Sequence, residues 1–505
     1  MPLRSLARLV LSSVAGGVIA SSACGGTRNT TSTPAAVSPS ASMSASTSAS
    51  SPPPPMPMGA IAPSTPALVV APAPPDPVAL LREYLHARLP TGGTLHEENG
   101  VFTITHVNET ALTPLQIAAL YLELTDVYSA PELAEEIAKA QKKPRWASLA
   151  KGTEVAVPRA LQSLPVDVAK NRLGWPSDGS MRGLYLTGEM AAAESFPKLL
   201  DKVAEHGMNA VVVDAKDVTG TLAYASDVAL AVETGATKSA PIRSFSRVVR
   251  AAHAKGVRVV ARVSCFRDEF LARRRDTLAI QRRGGGAHRN VHGMIDWLDP
   301  TNEDVRGYLV AIVDEVLAAG VDEVQLDYVR YPTEGVGDAD FKLGERKLTT
   351  RQVIADFVGK VHDKTKAAGV PLSLDVFGIV AWGFDADVNS TGQDLTLLGP
   401  EIEALSPMVY PSHFADGFNG YEVPGAHADI VGIGTRKAIE MMKARSPKVV
   451  VRPWVQAFPY KSPGYGSGYI ADQIASAAHV GGVGWLAWNS GGEYGATFGA
   501  TSTKR

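Results

Sequence analysis

Two aspartates stand where a pair of carboxyl groups could act together. Asp327 ends the stretch 323–327, in which apolar and polar residues alternate, and Asp375 lies near the end of a similar stretch at 371–376. Such alternation predicts short β-strands. If these strands are neighbours, about 4.8 Å apart, their carboxyl groups can approach the roughly 5 to 5.5 Å separation of a retaining glycosidase. One group would protonate the leaving oxygen while the other attacks the anomeric carbon.

Further polar and aromatic residues follow the same set of predicted strands. Aromatic rings offer flat apolar faces to sugars, while guanidinium and amide groups recognise hydroxyls. Asp214 is also a reserve candidate for either carboxyl role. The predicted substrate-binding residues are Asp214, Lys216, Arg262, Gln325, Arg330, Tyr331, Tyr410, His413, Arg452, Trp454, Gln456, Trp488 and Asn489.

A structural role is the alternative for each charged residue, because a buried charge needs a partner whatever its function. Asp214 could pair with Lys216 or Arg262, and Asp327 with Arg330. Stability alone would not collect so many charged and aromatic residues at one end of the strands. The whole set therefore indicates a site.

Two other chemistries fit these residues less well. A metal hydrolase could use Asp214, Asp217, Asp327 and His413, but the sequence has no closely spaced His pair and no Cys cluster. Serine catalysis lacks the Gly-x-Ser-x-Gly elbow. We therefore predict neither a metal nor a cofactor.

The elements that must position these residues alternate along the chain. Strands are predicted at 182–186, 209–214, 257–263, 323–327, 371–376, 407–410, 449–455 and 484–488, with helices at 196–206, 245–255, 304–319, 351–368, 394–403, 430–443 and 470–478. Gly207, Gly256, Gly320 and Gly369 each follow a helix, where a left-handed cap favours glycine.

Eight strands alternating with seven helices predict an α/β fold, a (β/α)8 TIM barrel at residues 178–500. In this fold the carboxyl ends of the strands carry the chemistry, which is where Asp327 stands. A doubly wound open sheet is the alternative, but its glycine-rich phosphate turn after the first strand is missing.

The first 24 residues combine Arg4 and Arg8 with an apolar run too short to span a bilayer, followed by small residues ending in Cys24. This pattern predicts a secretory signal. The site resembles a bacterial lipobox, which implies that Cys24 is the lipidated first residue of the mature protein and anchors it to a membrane. A simple secreted protein is one alternative, and an uncleaved membrane helix is the other.

Two segments separate this signal from the predicted barrel. Residues 25–77 are rich in Ser, Thr, Ala and Pro and predict a disordered tether. Residues 78–165 predict a small α+β domain, with strands at 101–105 and 154–158 and helices at 115–124 and 131–140. This order resembles a LysM peptidoglycan-binding module, with an unrelated small packing domain as the alternative.

Charge and cysteine content narrow the choices further. The formal net charge is -2, which gives no basic excess for binding nucleic acid. The two cysteines are Cys24 and Cys265. If Cys24 is lipidated, Cys265 has no partner and the fold must form without a disulfide bond.

Nine sequence blocks between residues 181 and 495 together resemble the bacterial putative glycosyl hydrolase domain family. They are Arg182-Gly-Leu-Tyr185, Val213-Asp-Ala-Lys-Asp217, Tyr224-Ala-Ser226, Trp297-Leu-Asp-Pro300, Gln325-Leu-Asp-Tyr-Val-Arg-Tyr-Pro332, Asp375-Val-Phe-Gly378, Ser406-Pro-Met-Val-Tyr-Pro-Ser-His413, Arg452-Pro-Trp-Val-Gln456 and Gly484-Trp-Leu-Ala-Trp-Asn489. The resemblance implies a barrel related to the large glycosidases. By similarity to the amylase-like barrels, Asp327 would be the nucleophile and Asp375 the acid, although that clan uses Glu for the acid.

These observations predict an exported glycoside hydrolase that cleaves a cell-envelope or extracellular polysaccharide. The small domain would contact peptidoglycan, and Cys24 would attach the protein to the membrane. The alternative is a non-catalytic envelope lipoprotein that binds glycan without cleaving it.

Overall fold

The computed structural model describes residues 76–502. The predicted signal at 1–24, the lipidation site Cys24 and nearly all of the tether at 25–77 lie outside these residues. Within the described part, no helix is long and apolar enough to cross a membrane. Residues 77–502 belong to one compact unit.

The N-terminal part of this unit contains three helices and a three-stranded antiparallel sheet. The strands β1 (Gly93–Glu98), β2 (Val101–Val107) and β3 (Glu154–Val157) pair in that order, and the helices are α1 (Pro77–His86), α2 (Pro114–Tyr121) and α3 (Ala130–Gln141). The predicted strand–helix–helix–strand order is present, and these elements enclose their own apolar cluster. Helix α1 and strand β1 were not predicted. Strand β1 buries none of its residues, so it lacks the apolar alternation that reveals a strand.

Residues from α5 bind this N-terminal part to the rest of the unit. Helix α4 spans Phe196–Glu205 and helix α5 spans Phe245–His253. Arg247 of α5 donates hydrogen bonds to Glu123 (3.1 Å) and to the carbonyl of Val127 (2.5 Å). This contact is polar and partly buried. The predicted domain boundary near residue 165 stays a prediction.

The main sheet is curled, parallel and nine-stranded. Its strands are β4 (Met181–Leu186), β5 (Ala210–Lys216), β6 (Arg258–Ser264), β7 (Glu323–Asp327), β8 (Leu372–Phe377), β9 (Ala404–Met408), β10 (Val450–Val451), β11 (Trp454–Gln456) and β12 (Gly484–Trp488). They are ordered β10-β9-β8-β7-β6-β5-β4-β12-β11. The strands carrying Asp327 and Asp375 are therefore neighbours, as predicted.

The two outermost strands of this order, β10 and β11, are consecutive pieces of chain. The single predicted strand 449–455 is interrupted at Arg452-Pro453, because proline has no N–H for the ladder. The N–H of Val483 donates to the carbonyl of Val451, and the N–H of Leu486 donates to the carbonyl of Pro453, at 2.9 and 3.0 Å. The residue before β12 therefore bonds to β10, and β12 itself bonds to Pro453 and pairs with β11.

Four long helices complete the set that covers the sheet: α6 (Glu303–Ala318), α7 (Thr350–Ala367), α8 (Ile430–Lys443) and α9 (Ser467–His479). Shorter helices include Gly188–Ala192, Ala229–Thr234, Glu269–Arg274, Asp385–Thr391, Leu395–Leu398 and Gly495–Thr501. The helix predicted at 394–403 is wrong in extent. It stops at Leu398 and continues as the 3-10 turn Gly399–Glu401, because Pro400 cannot extend the α-helix.

Apolar side chains pack on both faces of the sheet. A large cluster fills the layer between the sheet and the helices, and a smaller one on the inner face contains Met181, Val212, Trp454 and Leu486. Strand β9 begins three residues earlier than predicted, because Ala404 takes the ladder position beside Ser373. All the polar site residues discussed below come from the inner face or from the loops beyond it.

Gly320 shows how the chain enters the strand that ends in Asp327. It follows α6 with φ +89°, and a Cβ at this position would lie 2.6 Å from the carbonyl carbon of Val168. Only glycine satisfies both the left-handed conformation and the close approach. The predicted glycine cap is confirmed here.

Candidate active site

Arg262 lies among three buried aspartates at the carboxyl ends of the inner strands. Its Nη1 donates to Asp214 Oδ1 and its Nη2 to Asp327 Oδ2, both at 2.5 Å. Its Nε lies 3.2 Å from Asp327 Oδ2 and 3.8 Å from Asp375 Oδ2. One guanidinium group thus joins carboxyl groups from three strands.

Strand register explains why these groups meet. Strand β6 places Arg262 beside Asp214 of β5, and β7 places Asp327 beside Ser264. The ladder between β7 and β8 pairs Leu326 with the residue before Asp375. The two predicted catalytic aspartates therefore stand side by side on adjacent strands.

Asp327 is held from both sides. Its Oδ2 accepts from Arg262, and its Oδ1 accepts a 2.5 Å hydrogen bond from the N–H of Tyr328. Tyr328 has φ +50°, an uncommon conformation for an aromatic residue. This local backbone strain turns the chain so that its own N–H faces the carboxylate.

Asp375 has a different environment. Trp454 Nε1 donates a 2.7 Å hydrogen bond to its Oδ1, while its Oδ2 makes no hydrogen bond with any described residue. Burial raises the pKa of Asp375 well above its usual range, and the charge of Asp327 raises it further, against the opposing effects of Arg262 and Trp454. Since the indole can only donate, Oδ1 is an acceptor and the proton belongs on Oδ2.

Asp214 is the third carboxyl group of the set. Its Oδ2 accepts a 2.5 Å hydrogen bond from the hydroxyl of Tyr185. Burial raises the pKa of Asp214 to about 6, although Arg262 and Tyr185 lower it. Asp214 is separated from Asp375 by the guanidinium group and remains the reserve candidate.

Aromatic rings form one wall beside these carboxyl groups. Trp488, which is half-buried, stacks on Tyr185 with 3.9 Å between ring centroids and meets Trp454 edge-on at 5.5 Å. The Arg262 guanidinium carbon lies 5.1 Å from the Trp488 ring centroid. The apolar ring of Trp488 therefore lies next to Arg262, which holds the three carboxyl groups.

Two further inner-face residues keep unused hydrogen-bonding capacity. Gln325 Nε2 donates to Ser406 Oγ at 3.3 Å, whereas Gln325 Oε1 and the Tyr410 hydroxyl have no partner among the described residues. Burial raises the pKa of Tyr410 well above its usual value, and the charge of Asp375 adds to this effect. Because buried polar atoms are nearly always hydrogen-bonded, each of these two atoms has capacity for one further hydrogen bond.

With this geometry described, the chain can be compared with known proteins. The family described as "Putative glycosyl hydrolase domain" matches residues 183–494, which is more than half of the chain. The chain belongs to this family. Among curated proteins none matches.

Solved structures give weaker similarities. A hypothetical protein from Ruminiclostridium thermocellum ATCC 27405 is 32% identical over 38% of this chain and 97% of that chain, with a TM-score of 0.35. Alpha-L-fucosidase isoenzyme 2 from Paenibacillus thiaminolyticus is 14% identical over 64% of this chain and 48% of its own, at TM-score 0.42. The catalytic domain of beta-amylase from Paenibacillus polymyxa is 13% identical over 64% of this chain and 97% of its own, with a TM-score of 0.42. The family assignment rests on the family match alone.

Several predicted binding residues of this glycosyl hydrolase domain instead make internal contacts. Lys216 is fully buried, 2.9 Å from Asp268 Oδ2 and from the carbonyl of Ser264. Arg452 pairs with Glu323, the first residue of β7, and so lies at the end of the sheet opposite Asp327. Alternation placed both side chains on the inner face, but it did not reveal these partners.

Gln456 and Asn489 hold loops together. Gln456 Nε2 donates to the carbonyls of Phe458 and Tyr460 and to Ser462 Oγ, and its Oε1 accepts from the N–H of Ser412. Asn489 Nδ2 donates to the carbonyls of Ala457 and Glu493 at 2.6 and 3.1 Å. Their polar atoms are occupied within the protein.

Three other predicted residues, Arg330, Tyr331 and His413, follow strands of the main sheet in the chain. Tyr331 is fully buried and packs on Phe341 at 4.6 Å, within the layer between sheet and helices. His413 is exposed and has the ring of Phe458 5.7 Å away. The structural alternative paired Asp327 with Arg330. Asp327 instead forms its ion pair with Arg262.

Residues that the sequence reasoning missed include Tyr185, Tyr328 and Phe377. Tyr185 could have been found, because it lies at the end of the first family block, two residues after Gly183 on the inner face. Tyr328 could not, because its role depends on a backbone conformation that tyrosine rarely adopts.

Metal binding receives no support from side-chain placement in residues 76–502. No group of three or more His, Cys, Asp or Glu side chains in this part is arranged to hold a metal ion. Asp217, which the metal alternative used, instead accepts hydrogen bonds from the N–H groups of Thr219, Gly220 and Thr221. It stabilises a turn.

Proposed function

We propose that this glycosyl hydrolase domain cleaves a polysaccharide by a two-carboxylate, retaining mechanism. The observation that carries the proposal is the pair of unlike carboxyl groups on adjacent strands. Asp375 has a raised pKa and a free Oδ2, whereas both oxygens of Asp327 accept hydrogen bonds. Unlike environments for two neighbouring acids favour a division into proton donor and nucleophile.

In the first step Asp375 Oδ2 gives its proton to the glycosidic oxygen as the bond to the anomeric carbon breaks. Asp327 attacks that carbon and forms a glycosyl-enzyme ester. In the second step Asp375, now a carboxylate, removes a proton from water, which attacks the ester and restores Asp327.

Arg262 stabilises the charges that change during this cycle. When Asp375 loses its proton, Arg262 Nε lies 3.8 Å from the new carboxylate. When Asp327 becomes an ester, the same guanidinium keeps its hydrogen bond to Asp214. The arginine therefore remains paired in each state, as a buried cation requires.

Trp488 would provide the apolar face for the sugar ring bound next to the carboxyl groups. It is half-buried, already stacked on Tyr185, and beside Arg262. A fixed ring at this position can orient a sugar with little loss of its own side-chain freedom. The free Tyr410 hydroxyl and Gln325 Oε1 would bind hydroxyl groups.

The scaffold proposed for this site is a closed (β/α)8 barrel whose seventh strand is split at Pro453. Val483, just before β12, bonds to Val451 of β10, and β12 itself pairs with β11, which supports closure. Sites at the carboxyl ends of parallel strands are typical of this fold.

We further propose that the protein is exported and lipid-anchored through Cys24, and that it acts on a cell-envelope or extracellular polysaccharide. The support is the lipobox-like sequence and the Ser/Pro/Ala-rich tether. The N-terminal α/β part would contact peptidoglycan as a LysM-like module, supported by the order of β2, α2, α3 and β3.

The test measures new reducing ends after incubation of the full chain with purified peptidoglycan and secreted polysaccharides. Asp327→Asn and Asp375→Asn should each abolish turnover and leave the circular dichroism spectrum unchanged. Sedimentation with a glycan without new reducing ends would instead identify a non-catalytic binding protein.

A further inference from the structure

Arg330 is a buried arginine placed three residues after Asp327, at the end of β7. Only 7% of the residue is exposed. Its guanidinium carbon lies 3.9 Å from the ring centroid of Phe377, 4.8 Å from that of Trp297 and 5.4 Å from that of Tyr328. Three rings therefore hold the cation in one position.

Phe377 connects this cation to the catalytic pair. It lies two residues after Asp375 on β8, so both side chains lie on the same face of the sheet. The guanidinium on its ring is therefore beyond the carboxyl groups, at the carboxyl ends of the strands. A glycan bound at Asp327 and Asp375 would pass next to it.

Arg330 lacks the partners that a buried guanidinium usually has. Its one hydrogen bond to a described residue is from Nη1 to the carbonyl of Tyr331, at 2.9 Å. Among the side chains that the structure describes, no carboxylate lies within 4 Å of it, whereas Arg262 contacts three. Burial lowers the pKa of Arg330 to about 10. Several of its five N–H donors remain available for a ligand.

A second arginine shares this environment. The guanidinium carbon of Arg267 lies 5.5 Å from the Tyr328 ring centroid, and its Nη1 donates to the Tyr328 hydroxyl at 3.4 Å. Its one nearby carboxylate is Asp296, at 3.7 Å, and its side chain is 40% exposed. Among the described residues, Asp296 is the one carboxylate within 4 Å of either guanidinium, and Asp327 and Glu334 act on Arg330 from farther away, whereas Arg262 has three carboxylates within 4 Å.

We propose that Arg330, supported by Arg267, binds an anionic substituent of the glycan, a carboxylate or a sulfate ester. The inference rests on the proposed function of the site and narrows its substrate to an acidic polysaccharide. A planar guanidinium fork matches the two oxygens of such a group and binds them with paired, charge-assisted hydrogen bonds. The anion belongs at this position because the aspartates around Arg262 would repel it nearer to the catalytic pair.

The test compares acidic oligosaccharides with matched neutral ones by isothermal titration of the full chain. The probes are oligogalacturonate and its carboxyl-reduced form, a glucuronate-containing oligosaccharide and its reduced form, and a sulfated oligosaccharide and its desulfated form. The wild type should bind at least one acidic member about 10- to 100-fold more tightly than its neutral match. Arg330→Gln should remove that preference, because the affinity falls much more for the acidic probe than for its neutral match.

Two further variants serve as controls. Arg330→Lys keeps the charge without the planar fork and should retain part of the preference. Arg274→Gln is the matched control, because Arg274 also lies on a ring, 3.5 Å from the Phe270 centroid, and donates to a carbonyl, yet it is exposed and lies on a short helix outside the acidic cluster. It should bind like the wild type.

The result separates this inference from the proposed function. Equal binding of every acidic and neutral pair by the wild type would overturn the inference, as would an equal loss of both in Arg330→Gln. Cleavage of acidic glycans at the same rate by wild type and Arg330→Gln would also overturn it, while the hydrolase remained. An Arg330-dependent preference without any cleavage would support the anion site and contradict hydrolysis.

Discussion

The indole Nε1 of Trp454 donates a 2.7 Å hydrogen bond to Oδ1 of Asp375. Trp454 is on β11, immediately after the interruption of the seventh strand, and Asp375 is on β8. The bond fixes which carboxyl oxygen remains free to carry the proton. It also lowers the pKa of Asp375 against the larger effect of burial.

Trp454→Phe should therefore shift the pH dependence of hydrolysis. A general acid works only when protonated, so activity falls as the pH rises through its pKa. Loss of the donor raises the pKa of Asp375, and the alkaline limb of the kcat profile should move to higher pH, with a lower maximum because the carboxyl group is less fixed. A kcat profile between pH 4 and 9 measures this shift, and an unmoved limb would exclude Asp375 as the acid.

Asp214 should make stability fall as the pH rises from about 4 to about 6. Its pKa is about 6 in the folded protein and near 4 in an unfolded chain, so the folded state binds more protons in this window. The free energy of unfolding then decreases with pH by up to about 3 kcal/mol from this group. Urea unfolding at several pH values should show a flatter dependence in Asp214→Asn than in the wild type.

The quantity to compare is the slope of the free energy of unfolding against pH, in the wild type and in Asp214→Asn. Asp214→Asn also weakens the pair with Arg262, which lowers stability at every pH. Parallel wild-type and variant curves between pH 4 and 6 would show that Asp214 has an ordinary pKa.

Lys216→Met should lower the free energy of unfolding by about 3 to 5 kcal/mol, because it leaves Asp268 buried without its cation. Adding Asp268→Asn should recover part of this loss, since Asn can still cap the helix at the N–H of Leu271. A double-mutant cycle by urea denaturation measures the coupling. If Lys216 bound substrate instead, the single variant would raise KM and leave stability unchanged.

Gly320→Ala should be more destabilising than Gly207→Ala. Both positions have positive φ, at +89° and +69°, which costs an alanine roughly 1 kcal/mol or more. At Gly320 the new Cβ would also meet Val168 at 2.6 Å, whereas nothing lies within 4 Å of it at Gly207. Urea midpoints of the two variants compare the costs; equal losses would mean that the segment around Val168 moves away freely.

Local pattern predicted most of the main sheet correctly. Strands β7 and β12 have the predicted bounds, and helix α8 begins and ends where periodicity placed it. These predictions succeeded because alternation with period two and helical periodicity are properties of consecutive residues. Strand β1 was not predicted, because none of its residues is buried and its sequence lacks the apolar alternation of a half-buried strand.

The sequence by itself determined the order of strands and helices in the main sheet and placed Asp327 and Asp375 as a candidate pair. Only the tertiary structure decided that Arg262, 65 residues before Asp327, is its charge partner, while the nearby Arg330 lies on aromatic rings. It also decided that Lys216 and Arg452 bind internal acids. The reason is physical: alternation states which face a side chain occupies, but its partners depend on strand order and register, which join residues far apart in the chain.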